Sequence, residues 1–461
     1  MGIKLKQNAM LLFYIVLYLA AIIFSKTGQH LASGLLLFMA AVGLFLHYFL
    51  KTGQVVNMPG LLSLSWVGGQ AVASLKLSSL QRDWSWTTWL CFFLFHVCFL
   101  AGYSWMEGRK IRTRKAGGGL CRIVKFLRPA RDQEKQLRRL LAGIIAVTGI
   151  SAAAFLLEAA VLGYIPVFVN MDKPHLYSEF HISGVHYFTV SCALVLPFTS
   201  LYLCLKGIRR TLQDKGLTAL LAICNLAALA IPVLCISRQQ LIMSFGVSAI
   251  VILKFHGRIP GKQLAAVGGG ALAVLLCGYL ALTYFRGFDA SMLNEMAEMK
   301  DQNMPLLVTQ PYIYIANNYE NFDYMVEHLP GFTFGAKQLF PVWAFTGLKF
   351  VIPQYTQFPL YVTKDILTTL TVIYDAYYDF GVAGVAGFGL LLGVLSCWLN
   401  WLAGLKKNPV AFLLYGEVAI YLLLSFFTTW FSNPTIWFWI GSTVILYWAV
   451  GFERRRENAH E

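Results

Sequence analysis

The chain has 461 residues, 57% hydrophobic and 13% charged, with a mean hydropathy of +0.61. Soluble domains carry about 25% charged residues, so this composition excludes an ordinary soluble domain and describes a chain solvated mainly by lipid. The formal net charge is +15, but the basic residues sit in short clusters between apolar runs, with no basic stripe interleaved with aromatics, which argues against nucleic acid as a partner.

Lys4 and Lys6 precede the first apolar run and no small-residue cleavage site comes after it, so a retained first span is expected. Crossing a hydrocarbon core of about 30 Å takes about 20 apolar residues. Runs of that kind lie near 9–25, 31–50, 86–106, 140–164, 186–206, 217–236, 240–255, 264–285, 380–403, 409–428 and 435–452. A weaker one near 59–76 is diluted by Gly68, Gly69 and Gln70 and brings the number to twelve. Backbone groups in lipid must be satisfied within their own segment, so all are expected to be helical. The expected fold class is an all-α polytopic membrane protein. Its nine cysteines form no C-x-x-C pair, and no disulfide framework, metal site or cofactor motif is expected.

Counting charges gives the orientation. With the N-terminus inside and strict alternation, 27 of the 37 Lys and Arg residues fall on the inner side. The positive-inside rule therefore places both termini in the cytoplasm, and the weak span near 59–76 is needed for that parity. The insert 107–139 carries twelve basic and three acidic residues and reads as a cytoplasmic loop lying on anionic headgroups. By contrast, 286–372 carries five basic and eight acidic residues and is placed outside, as is 165–185. The linear organisation is then 1–285 with nine spans, a large outer loop 286–372, and 373–461 with three spans and a basic tail.

Within the outer loop, Gln310–His328 is predicted to be an amphipathic helix, with Ile313, Ala316 and Met325 inward and Asn317, Glu320 and Tyr324 on another face. Pro330, Gly331, Pro341, Pro353 and Pro359 break the remainder of the loop into short pieces, forming a packed lid rather than a linker. Gly381, Gly384, Gly387, Gly389 and Gly393 make a small-residue face for close helix approach.

Outward arginines are uncommon here: Arg82, Arg238 and Arg286. Arg238 and Arg286 each sit at the outer end of a span, where a guanidinium forks onto phosphate oxygens; each could equally anchor a helix end by snorkelling. Proton acceptors are sought among Glu320, Asp323, Asp375, Glu158 and His181. Asp375 and Asp379 lie at i, i+4 where the chain re-enters the membrane, Asp379 could equally cap the span it precedes, and Glu417 is read as a packing or hydrogen-bonding residue. Tyr312 and Tyr314, beside Asn317, Asn318 and Asn321, offer ring faces and amides suited to sugars.

These residues form a pattern: Ser237-Arg238 after one span, Tyr284-Phe285-Arg286-Gly287 after another, Tyr312-Ile313-Tyr314 and Asn317–Asn321 in a large outer loop, then Asp379-Phe380-Gly381-Val382-Ala383-Gly384. It resembles the Wzy-type oligosaccharide repeat-unit polymerases of bacterial surface polysaccharides, the family that includes O-antigen polymerases. The resemblance implies a GT-C-like membrane glycosyltransferase at the outer face of the inner membrane. It further implies undecaprenyl-diphosphate-linked glycans as donor and acceptor, Arg238 and Arg286 on the diphosphate, and a flippase and chain-length regulator as partners. It names no base. A ligase attaching the polymer to lipid A core and a flippase or transporter of lipid-linked oligosaccharide are the alternatives. The absence of a six-plus-six repeat of the spans counts against transport.

Overall fold

The computed structural model describes residues 2–116, 130–169, 179–257, 269–270, 290–355, 357–405 and 407–451. Among them the chain is helical, without a named strand; Ser78 and Met299 form an isolated β-bridge. Among the described residues, nine helices are long and apolar enough to cross a membrane: Ala9–Lys26, His30–Thr52, Trp86–Arg109, Gln133–Val169, His186–Lys206, Lys215–Leu234, Arg238–His256, Tyr374–Leu405 and Pro434–Gly451. Ala411–Leu423 is a shorter apolar helix. The expected span 264–285 falls, apart from 269–270, outside the described residues. The chain is thus a polytopic, helical membrane protein.

The weaker apolar run near 59–76 is helical too, and its dilution has a reason. Asn57 caps it, accepting from Gly60 N–H at 2.8 Å, with Pro59 in the first turn. The helix Met58–Leu62 passes through a π-turn, Ser63–Val67, into Gly68–Ala73. These sixteen residues rise about 24 Å at 1.5 Å per residue. Gln70 accepts Tyr18 O–H at 3.0 Å, and Gly69 leaves the room that the Tyr319 hydroxyl occupies. Polarity here is neighbour-facing.

The chain divides into two compact units. The first comprises Met1–Gly118, Phe288–Trp398 and Val418–Trp437, so most of the sequence expected as an outer loop packs with the first spans rather than forming a body of its own. Helices Gly2–Lys26 and His30–Thr52 make a hairpin, and the latter packs on Met58–Ala73. Helix Tyr374–Leu405 comes close to Trp86–Ala116 because Gly389 and Gly393 face the Phe95 and Phe99 carbonyls; a Cβ on Gly389 would lie 2.6 Å from Phe95 O. That is the small-residue contact expected from the glycine stripe.

Helix Leu306–His328 differs from its expectation. It begins four residues earlier, and it is not one-sided: Asn317, Asn318, Glu320, Asn321 and Asp323 are buried along with Ile313, Ala316, Tyr319 and Met325. The predicted polar face is covered by two other stretches of the same unit. On one side is the segment after Ala73, which Lys300 N–H to Leu77 O at 2.9 Å and Ser79 N–H to Glu298 O at 2.8 Å stitch to residues 298–300. On the other is the strap 361–371.

The second unit comprises Gly119–Gly287, Leu399–Glu417 and Phe438–Glu461. Helix Ala130–Leu162 packs on Val195–Lys206 and Lys215–Leu234, and Arg238–His256 packs on Val195–Lys206. Glu417 is buried and accepts from the Thr443 hydroxyl, a hydrogen-bonding role of the kind expected for it.

Candidate functional site

Three polar centres hold the candidate residues, two in the first unit and one in the second. The first is an open pocket of about 180 Å³ lined by Ser79, Leu80, Arg82, Glu298, Glu320, Asp323, Tyr324, Glu327 and Thr363. At about 30 Å³ per water, that is room for about six waters, the scale of one pyranose ring. Its floor is Glu320, 3% exposed. Lys76 donates to Glu320 Oε1, Trp84 Nε1–H donates to the same oxygen at 2.7 Å, and Arg82 N–H reaches Oε2 at 3.1 Å. Burial pushes the Glu320 carboxyl above its ordinary range, while Lys76 and the other donors pull it back. Both oxygens are engaged, so Glu320 is a structural anchor for the segment 76–85 more than an available base.

One turn on, Asp323 is placed differently. Its Oδ1 accepts Ser85 N–H at 2.9 Å, and its other oxygen has no hydrogen-bond partner among the described residues. Asp323 is 4% exposed, yet it lines the pocket. Arg82 and Glu327 line the same pocket from exposed positions. Tyr324 stacks on His328 with ring centroids 3.9 Å apart.

The amides expected to meet sugars are occupied by the chain. Asn321 donates to Leu367 O and Thr369 O at 2.7 and 2.9 Å and accepts Thr363 N–H at 2.9 Å. Asn317 donates to Leu367 O at 3.2 Å, and Asn318 donates to Tyr314 O and Phe426 O, both at 2.6 Å. They pin the strap that carries Thr363 to the pocket, a positioning role. The buried Tyr312 hydroxyl donates to Gln81 Oε1 at 2.5 Å and accepts Leu77 N–H at 2.8 Å, fixing the other wall. Tyr314 lies against the Phe427 ring at 5.6 Å.

The second centre explains Asp379-Phe380-Gly381. Asp379 accepts Gln338 N–H at 2.7 Å, Lys337 N–H at 3.1 Å and the Thr333 hydroxyl, so it organises the loop 333–338; it lies inside helix Tyr374–Leu405 and does not cap its start. Gly381 has φ +60° and ψ −144°, a conformation open only to glycine, and a Cβ there would lie 2.7 Å from the Phe332 ring. The loop delivers Lys337, whose Nζ lies 4.0 Å from the Tyr378 ring centre and 3.7 Å from Asp375 Oδ1. Burial lowers the Lys337 ammonium below ordinary lysine, and Asp375 and Asp379 draw it back up. Asp375 also accepts the Ser432 hydroxyl, but its buried Oδ1 has no hydrogen bond.

In the second unit, the fully buried Glu158 accepts Thr189 O–H at 2.7 Å, Ile182 N–H at 2.9 Å and contacts His186 Nδ1 at 3.2 Å. The exposed His181 sits edge-on to His186, centroids 6.2 Å apart. Glu158 and His181 thus belong to one cluster through His186. In the same unit Arg238 is buried at the start of Arg238–His256. Just before it, Ile236 holds φ +52°, a strained value for a β-branched residue. Arg286 lies outside the described residues.

Lys76, Lys337, Ser85, Glu327 and Thr363 belong to these centres and were not singled out from the sequence. The only sequence signal for the lysines is their placement outside the basic clusters expected on the inner side. Comparison with protein-family models, curated proteins and solved structures finds no significant match.

Proposed function

We propose that this chain is a metal-independent membrane glycosyltransferase that polymerises lipid-diphosphate-linked oligosaccharide repeat units into a surface polysaccharide. The reading places it at the outer face of the bacterial inner membrane, with twelve spans, a GT-C-like arrangement and both termini in the cytoplasm. The observation that carries it is Arg238. A guanidinium buried at the first position of a span-length helix, behind a strained residue and with no side-chain cap from Ser237, combines a fixed charge with the positive end of the helix dipole. Such a group suits a diphosphate whose lipid tail lies in the bilayer.

In the reaction, the bond between sugar C1 and the diphosphate oxygen breaks while the acceptor hydroxyl bonds to C1. Negative charge builds on the departing diphosphate, and an arginine held against it stabilises the transition state more than the ground state. Arg286 is assigned the same role from the resemblance. The acceptor hydroxyl gives up its proton to a carboxylate; in the first unit taken by itself, Asp323 and Asp375 keep free acceptor capacity.

The test is purified protein with synthetic diphosphate-lipid repeat units, read as a ladder on a gel. Removing a hydrogen bond to a charged group costs about 1.5–3 kcal/mol, so Arg238→Ala should slow lengthening by about ten- to a hundred-fold or more. Wild-type ladders from a properly inserted Arg238→Ala protein would defeat the mechanism. Lipid-linked sugar moved across liposomes without lengthening would favour a flippase, and transfer of finished polymer to lipid A core a ligase.

A further inference from the structure

The pocket in the first unit also carries a charge preference, which rests on the reading that it receives a sugar. Of its four carboxylates, two are neutralised within the protein: Glu320 by Lys76, and Glu298 by Lys364 at 3.0 Å. Asp323 and Glu327 remain, and Arg82 is the one basic residue among those lining the pocket. No ion pair joins these three among the described residues. Asp323 is more than nine-tenths buried, and one of its oxygens has no partner among the described residues. A carboxylate oxygen left without a protein donor at a pocket wall accepts a hydrogen bond from whatever enters. Sugar hydroxyls and protonated amines supply one; a uronic acid carboxylate does not, and would meet a surplus negative charge.

We infer that this pocket selects neutral or amino-bearing sugar residues of the repeat unit and rejects acidic ones, with Asp323 and Glu327 as the discriminating groups. Arg82 orients a ring hydroxyl in this arrangement, and Tyr324 supplies an apolar face at the wall.

The experiment uses the full chain in lipid nanodiscs and three probes: a glucose disaccharide, a glucosamine disaccharide with free amines, and a glucuronic acid disaccharide. Binding is read by ligand-observed saturation-transfer NMR. The neutral and amino probes should bind at least about tenfold tighter than the acidic one, since like charges placed against each other suppress the wrong partner. Glu327→Lys, at an exposed position that leaves the fold intact, should bring the acidic probe level with the neutral one. Asp323→Asn, which keeps the acceptor for Ser85 N–H, should narrow the gap to within about threefold. Equal or tighter binding of the acidic probe by the unmodified chain, an order unmoved by Glu327→Lys, or no binding of any probe would overturn the inference. The lengthening assay separates this from the polymerase reading. Protein that builds ladders but shows no charge preference overturns the pocket inference alone; protein that discriminates but never lengthens overturns polymerisation alone.

Discussion

Among the described residues of the first unit, Lys76–Glu320 and Lys337–Asp375 are lysine–carboxylate pairs largely out of solvent, and they are built to opposite standards. Lys76–Glu320 is closed: side chains 3% and 2% exposed, with an indole and a backbone N–H completing the carboxylate. Lys337–Asp375 is loose, 3.7 Å apart and 12% and 7% exposed, its ammonium resting on the Tyr378 ring and one carboxylate oxygen without a hydrogen bond. A fully satisfied buried pair specifies structure; a partly satisfied one retains capacity to bind or to exchange a proton. The difference teaches that burial alone does not mark a chemical group. Unused hydrogen-bonding capacity does.

The contrast between the pairs can be broken by mutation. Glu320→Ala leaves Lys76 charged and unpaired in the interior, which should cost about 3–5 kcal/mol, read as thermal unfolding in detergent. The double replacement of Lys76 and Glu320 by methionine should recover most of it. A loss below about 1 kcal/mol for Glu320→Ala would show that the closed pair is no anchor. Gly381→Ala should cost about 1–3 kcal/mol from backbone strain, with the Phe332 contact adding to it. Because that glycine lets Asp379 hold the loop bearing Lys337, the proposed lengthening activity should fall with it; an alanine variant of full stability and activity would remove this account of the motif.

Asp375→Asn keeps an acceptor for the Ser432 hydroxyl and should cost only about 1 kcal/mol, while reducing lengthening by at least about tenfold. Equal effects on folding and activity would make the loose pair structural, like the closed one.

The smallest effect concerns pH. Burial lowers Lys337 below its ordinary 10.5 in the folded protein, so on the alkaline side the unfolded chain binds more protons there and stability rises with pH. The contribution is least favourable below the folded value and is complete once pH passes the unfolded value. Lys337→Met should flatten that rise; an unchanged alkaline slope would mean the lysine titrates like an exposed one.

Spans were legible because lipid imposes the same demand on every residue of a segment, and a run of apolar side chains meets it without help from elsewhere. Arg238 was legible for the related reason that, with the N-terminus placed inside, an arginine at that span end breaks the expected positive-inside pattern. The asparagines at 317, 318 and 321 were noticed, but their partners at 363–369 and 426 were not, since hydrogen bonds between distant segments leave no periodic trace. The same holds for Lys76, which meets Glu320 across 244 residues of sequence.

The polytopic helical architecture, the apolar segments and the candidate residue types were therefore determined by the sequence itself. Only the tertiary structure decided that helix Leu306–His328 is buried on its polar as well as its apolar face over 316–323, that Glu320 is closed while Asp323 is open, and that Asp379 serves a loop more than a helix end. Hydropathy acts locally along a span. Satisfaction of a buried polar group depends on which distant donor the fold brings to it, and that is what separates an anchor from a site.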